Sequence, residues 1–277
     1  MNLRTALDKA KKQREGNPQA QARQVVHKGK AYVVASSPDK EWKPPAYTSS
    51  RHLDVSPARL IANRCVCIVP DADELEHYKV LRTRIQHAMK LKGWNTLLIT
   101  SPNPGDGKTL TAINLALTFA KAYNQTVLLV DCDLRRQSVH RVLGLESDAG
   151  LVDFLVEDRP LQDFIIWPGI ENMTLISGGR PVQNSAEMLG SVRMKALVQE
   201  LKGRYDDRVV ILDAPPLLSG ADTLALTPCV DCVLMVVKES TTCMREIQKA
   251  LEMIPAEKFL GYVMNQQRKV SKSGYYY

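Results

Sequence analysis

From Asn95 onward the chain alternates between apolar runs of strand length and stretches with helical spacing of apolar positions. The runs are Thr96–Thr100, Thr126–Val130, Met173–Ile176, Val209–Leu212, Cys232–Val237 and Phe259–Met264, and the intervening helical stretches are Lys108–Ala122, Ser185–Arg204, Ala221–Leu226 and Thr242–Ile254. Strands that alternate with helices predict right-handed crossovers and a mainly parallel sheet. The runs are continuously apolar, without an in/out alternation, as strands covered on both faces require. An earlier helix is predicted over Glu74–Leu91, where Leu75, Tyr78, Leu81, Ile85 and Met89 share one face. The fold class expected is therefore α/β, with a doubly wound, mainly parallel sheet.

The first 57 residues read differently. They hold five of the fifteen prolines and few periodic apolar positions, although Leu3, Ala6, Leu7 and Ala10 could stripe a short helix. We expect a flexible basic leader over residues 1–57, a folded domain over 58–268 and a flexible tail over 269–277. The formal charge of +7 belongs mostly to the leader, because residues 1–50 carry ten Lys/Arg against four Asp/Glu. The domain is then nearly neutral and no nucleic-acid partner is expected of it. Such a leader can touch an anionic membrane surface, an acidic partner or nucleic acid, or serve only as a soluble tail. No apolar run approaches the roughly 18–20 residues of a membrane span, and Met1–Leu7 lacks a following apolar stretch, so a cytoplasmic protein is expected. The pairs Cys65/Cys67 and Cys229/Cys232 read as packed thiols rather than zinc ligands.

The chemistry is concentrated at three strand ends. After Thr96–Thr100 comes Ser101-Pro102-Asn103-Pro104-Gly105-Asp106-Gly107-Lys108-Thr109, a phosphate loop that leads into a helix. Pro102 stands where the strict P-loop pattern has Gly, but the physics survives. Gly105 and Gly107 let backbone N–H groups face phosphate oxygens, Lys108 can reach β/γ-phosphates, and Thr109 offers a hydroxyl to Mg²⁺. The other two ends are acidic: Asp131 and Asp133 after one strand, Asp213 after another. In open parallel sheets such ends share one crevice. A lone strand-terminal Asp is more commonly a cap or a turn former, and Asp133 could still be one. As a set beside a phosphate loop, the three suit a magnesium-nucleotide site. Asp213 suits the metal, Asp131 suits a base for an incoming hydroxyl, and Asp133 lies nearer the metal. The residues leave the division between Asp131 and Asp133 open.

These segments resemble the bacterial tyrosine kinases of the CpsD/CapB type, which regulate capsule and exopolysaccharide synthesis. The resemblance covers roughly residues 70–277. It rests on the loop Ser101–Thr109, on Val130-Asp131-Cys132-Asp133-Leu134-Arg135, and on Ile211-Leu212-Asp213-Ala214-Pro215-Pro216. It implies a P-loop NTPase fold of the MinD/ParA-like (SIMIBI) type and ATP with Mg²⁺ as the nucleotide and metal. It implies ATP contacts from Gly105, Asp106, Gly107, Lys108, Thr109, Leu110 and Asn265, and metal contacts from Thr109, Asp133 and Asp213. Catalysis would rest on Lys108, Asp131, Asp133 and Asp213. Glu76, Lys79 and Arg82 resemble the family's Glu-x-x-Arg-x-x-Arg oligomerisation motif, with Lys in one Arg position. Tyr275, Tyr276 and Tyr277 resemble its autophosphorylated tail, modified by a neighbouring subunit of a ring-like homo-oligomer. The family also implies a membrane-bound polysaccharide chain-length regulator as activator, recruitment to the inner face of the membrane, and a cognate tyrosine phosphatase. The basic leader is similar to that of exosortase-associated autokinases. Leu110, where a second hydroxyl is common, and Pro181–Ser191, a loose match to Pro-Asn-Pro-x-Glu-Leu-Leu, depart from the pattern. The alternatives are a MinD/ParA-like ATPase switch, whose signature lysine is replaced by Asn103, and a nucleotide-sensing scaffold.

Overall fold

In the computed structural model the described residues are 24–27 and 30–33 of the early chain, and 50–267 apart from Asp148 and Asp158. Gln24–His27 (β1) and Lys30–Val33 (β2) form an antiparallel pair of their own. The remaining strands are Arg51–His52 (β3), Thr96–Thr100 (β4), Thr126–Asp131 (β5), Ile165–Trp167 (β6), Met173–Ile176 (β7), Arg208–Asp213 (β8), Cys232–Lys238 (β9) and Phe259–Asn265 (β10). They make one eight-stranded sheet in the order β10-β9-β4-β8-β5-β7-β6-β3. Every pairing is parallel except β6 with β7.

Alternate residues of the central strands feed two separate cores, one on each face. Leu97, Ile99, Val127, Leu129, Ile211 and Leu234 belong to one core. Leu98, Leu128, Val130, Val210, Leu212, Val233 and Met235 belong to the other. This double burial explains why the strand sequences are apolar throughout. The first face is covered by Pro57–Ala62 (α1), Asp73–Lys92 (α2), Lys108–Ala120 (α3) and Val139–Leu143 (α4). The second is covered by Leu151–Val156 (α5), Ser185–Leu189 (α6), Val192–Gly203 (α7), Asp222–Leu226 (α8) and Met244–Glu252 (α9). Helix α2 starts with Asp73, Glu74 and Glu76 and ends with Lys90, Lys92 and a left-handed Gly93, charges that suit its dipole.

Two differences from the sequence expectation have local causes. The helix predicted over Ser185–Arg204 is two helices, α6 and α7. It breaks at Gly190–Ser191, where Ser191 Oγ accepts the Met194 N–H at 3.1 Å as an N-cap. Strands β3 and β6 are two and three residues long, too short to leave a periodic signature. Through β3 the sheet reaches back to Arg51, ahead of the boundary expected at residue 58. No helix among the described residues is long and apolar enough to cross a membrane.

Candidate functional site

The sheet order sets the site. Strands β4, β8 and β5 are neighbours, so the loop after β4 and the acidic ends of β8 and β5 emerge side by side. Asp131 and Asp213 are direct partners in the β5–β8 register, and Ile99 pairs with Asp213 in β4–β8.

The loop after β4 is fastened at several points. Asp106 is buried; its carboxylate accepts the Asn103 N–H at 2.9 Å and the Thr242 hydroxyl at 2.8 Å. The carbonyls of Ser101 and Pro102 accept the N–H groups of Leu217 and Leu218 at 2.8 and 3.2 Å, which zips the loop to the segment following Asp213. Pro102 therefore contributes a carbonyl, which needs no glycine. Gly107 has φ +96°, and a Cβ there would lie 2.0 Å from Asn265 Nδ2. Asn265 Nδ2 in turn donates to the Asp106 carbonyl at 2.9 Å. Helix α3 begins at Lys108 with Gly107 as N-cap and no side-chain cap, so its first-turn N–H groups are available to an anion.

Lys108 joins the pieces. Its Nζ lies 2.8 Å from Asp133 Oδ2, 3.6 Å from Asp213 Oδ1 and 3.2 Å from Thr109 Oγ1. Thr109 Oγ1 donates to Asp213 Oδ2 at 2.6 Å and accepts from the Ser138 hydroxyl at 3.2 Å. Asp131 is tied to backbone: one oxygen accepts the N–H groups of Ser138 and Val139 at 3.0 and 3.1 Å, the other that of Asp133 at 3.1 Å. Asp131 and Asp213 are fully buried and Asp133 is 5% exposed. Burial, then the charge of Asp213, pushes the Asp131 carboxyl up to about 7. Burial also raises Asp213, against the pull of Lys108 and Thr109. Burial pulls Lys108 down, but Asp213 and Asp133 outweigh it and hold the ammonium above its ordinary value.

Asp213 Oδ1 is buried with no hydrogen-bond partner. A buried carboxylate oxygen that accepts no hydrogen bond and has only the Lys108 ammonium at 3.6 Å, beside a threonine hydroxyl, is the donor chemistry Mg²⁺ or its bound water requires. Thr109, Asp213 and Asp133 thus fit the metal.

The structure brings together Gly105, Gly107, Lys108, Thr109, Asp131, Asp133 and Asp213. It places Asp106 inside the loop as a brace and Leu110 against the apolar core. Asn265 packs on the loop, over Gly107. Away from the site, Lys79 pairs with Glu76 at 2.6 Å on the exposed face of α2, while Arg82 Nη1 donates to the Thr118 carbonyl at 3.0 Å. Tyr275, Tyr276 and Tyr277 lie outside the described residues. Burial pushes the thiols of Cys65 and Cys67 up to about 11 and that of Cys232 to about 12, as packed thiols require.

Sequence reasoning missed Ser138 and Thr242, since neither lies in a phosphate-loop pattern. It also gave no partner to Arg135, whose Nε donates to Ser185 Oγ at 2.8 Å and whose Nη2 lies 3.2 Å from Asp222.

Comparisons with known proteins bear on the family and the fold. The AAA domain family matches residues 95–261. Tyrosine-protein kinase YwqD of Bacillus subtilis is 33% identical, over 79% of this chain and 93% of its own length. Tyrosine-protein kinase Wzc of Salmonella typhimurium is 31% identical over 64% of this chain, which spans only 24% of that longer relative. Among solved structures, the kinase domain of Escherichia coli tyrosine kinase ETK superposes with a TM-score of 0.70, at 25% identity over 84% of this chain and 94% of that one. A more distant neighbour is cobyrinic acid a,c-diamide synthase of Mycobacterium smegmatis with a bound ATP analog and magnesium. It has a TM-score of 0.50 and 25% identity over 62% of this chain and 74% of that one. With its phosphate loop, its two acidic strand ends and these relatives, the chain belongs to the bacterial tyrosine kinases, on a P-loop fold shared with the MinD/ParA-like ATPases.

Proposed function

We propose that the chain is an ATP-dependent protein-tyrosine autokinase that phosphorylates tyrosines of the C-terminal tail, Tyr275–Tyr277, in trans and thereby regulates exopolysaccharide or capsule biosynthesis. The observation that carries this reading is the contact set Lys108–Asp133–Thr109–Asp213 at the start of α3. It supplies a cation for phosphates and an oxygen set for Mg²⁺ in one place.

In this reading the triphosphate lies over Gly105–Thr109, and its oxygens compete with the carboxylates for the Lys108 ammonium. Thr109 and Asp213, with Asp133 beside them, would hold Mg²⁺, which would supply positive charge to offset that of the phosphates. The tyrosine oxygen attacks the γ-phosphorus, the bond to the β–γ bridging oxygen breaks, and ADP leaves. The phenolic proton passes to the Asp131–Asp133 pair, of which Asp133 is the member with exposed surface. Lys108 then stabilises the charge that develops on the transferring group. A polysaccharide chain-length regulator in the membrane would activate the kinase and draw it to the inner face. A ring of copies would present each tail to a neighbour through the Glu76–Lys79–Arg82 face of α2.

The test is phosphosite mapping after incubation with Mg·ATP, with and without the regulator's cytosolic tail. Phosphotyrosine on Tyr275–Tyr277 is expected, and Lys108→Met should lower it at least 100-fold. ATP hydrolysis without any phosphotyrosine, regulator present, overturns the kinase reading and leaves an ATPase switch.

A further inference from the structure

The large sheet has two edges, and only one of them is long. β3 offers two residues, whereas β10 offers seven, Phe259–Asn265, and its sole neighbour among the described strands is β9. Asn265 turns its carbonyl to the β9 side, where it accepts the Glu239 N–H at 3.0 Å. Successive residues of a strand aim their N–H and C=O groups to opposite sides. Those of Met264 and Tyr262 therefore point outward, with no strand to meet them among the described residues. Their side chains are 53% and 63% exposed. Soluble proteins guard such an edge with lysine, proline or charge, and Phe-Leu-Gly-Tyr-Val-Met-Asn contains none of these. Its one register shift, between Phe259 and Gly261, lies at its start.

The chain carries a cover of matching length. Gln266, directly after β10, has φ +55°, a left-handed conformation uncommon for a non-glycine residue and one that tight hairpin turns use. Residues 268–277 follow and lie outside the described residues. β10 runs about 20 Å from Phe259 to Asn265, at about 3.4 Å per residue. A strand returning from the turn covers that distance with residues 268–274, which brings Tyr275 to the start of β10. There the rings of Phe259 and Tyr262 lie 6.4 Å apart, an aromatic surface for a tyrosine. The same stretch holds Arg268, Lys269 and Lys272, the edge charges that β10 lacks.

We propose that the outer edge of β10 is a docking surface for the chain's own tail, which folds back antiparallel and holds Tyr275–Tyr277 beside Phe259 and Tyr262. The β10 of a second copy offers the same edge, but a tail tethered by a short turn has the higher effective concentration. The pairing stands apart from the kinase reading; its consequence for transfer rests on that reading. β10, β9 and β4 run parallel, so the phosphate loop lies past their C-terminal ends, whereas Phe259 begins β10. A docked tail keeps its tyrosines at the end of the sheet opposite the site. It must be released before a neighbouring copy can modify it.

The test is residue-resolved amide exchange of the full chain, read at Tyr262 and Met264. Val270→Pro with Lys272→Pro removes two N–H groups from the returning strand. Gln266→Val opposes the left-handed turn while leaving the tail intact, and Gln266→Gly admits it. In wild type and Gln266→Gly both amides should exchange at least tenfold more slowly than in the proline and valine variants, at any protein concentration. Fast exchange in wild type overturns the docking, as does slow exchange that survives the prolines. Protection that appears only as concentration rises assigns the edge to a second copy and overturns it as well. The consequence is read on Lys108→Met chains offered Mg·ATP and an active copy. With Gln266→Val added, such a chain should gain tail phosphotyrosine at least fivefold faster. Equal rates, with the exchange pattern as expected, overturn the silencing alone; no phosphotyrosine on either chain overturns the kinase reading alone.

Discussion

Asp131 and Asp213 sit opposite each other in the β5–β8 ladder, both out of solvent, and one carboxyl pays for the charge of the other. Asp131 titrates near 7 in the folded protein, against about 4 when unfolded. Between those values the folded chain holds a proton that the unfolded chain has lost, so stability falls as pH rises through this window. The slope is at most about 1.4 kcal/mol per pH unit, and it ends above about 7. Asp131→Asn removes the titration whatever it costs in backbone hydrogen bonds. Its melting temperature relative to wild type should therefore climb from pH 5 to pH 7.5 and level off; a difference that stays flat over that range contradicts the assignment. At this scale the sequence was readable where chemistry and chain position coincide. Lys108 and Thr109 at the start of α3, and Asp133 and Asp213 at or just past strand ends, are candidates by type and by place. Asp106 was expected among the ATP contacts, but its bracing of the loop was not readable, because its partner Thr242 is 136 residues away and only the fold brings them together. Ser138 was hidden for the same reason, a hydroxyl placed by the turn after β5.

Helix α3 carries Lys108 and Thr109 at its start, and its middle holds a polar clasp. Asn114 is buried; its Oδ1 accepts the Cys67 N–H at 3.0 Å, and its Nδ2 donates to the carbonyls of Arg64 and Leu110 at 3.1 and 3.0 Å. Lys121 Nζ adds a bond to the Cys67 carbonyl at 2.6 Å. These contacts bind the segment from α1 to residue 68 onto the nucleotide-site helix, where Leu60 and Cys67 join the core. Asn114→Ala would leave two buried backbone groups unpaired, at a cost of about 1–3 kcal/mol each. Limited proteolysis should then cut near residues 57–68 well before the wild type is cut, with the melting temperature lowered by several degrees. Unchanged protease resistance would show that apolar packing alone holds the segment. Five of the six predicted strands were legible because double burial makes them continuously apolar, whereas β10, at the sheet edge, is only half-buried. The early helix α1 and the two-residue β3 were not, since their stability comes from partners such as Asn114 and β6. The split of α6 from α7 was written in the sequence as Gly190–Ser191, a break followed by a cap.

The site occupies the middle of an eight-stranded sheet, while the last described strand lies at its edge; under the proposed function each tail is modified by a neighbouring copy. That arrangement makes a prediction for the assembly that no single-chain variant can test. One protein carries Lys108→Met with an intact tail, and the other carries Tyr275→Phe, Tyr276→Phe and Tyr277→Phe with an intact site. Neither alone should form tail phosphotyrosine. Mixed with Mg·ATP, they should restore it on the Lys108→Met chain, at a rate that rises with total protein concentration until the assembly saturates. Lys79→Glu in both chains turns the exposed Glu76–Lys79 pair of α2 into a like-charged patch and should slow the mixed reaction at least fivefold at low protein concentration. Crowding by concentration should recover part of the loss, because an interface defect weakens association without altering the nucleotide site. Two results bear against the arrangement: mixed chains that stay unphosphorylated, which would place transfer within one copy, and a Lys79→Glu defect that no concentration relieves.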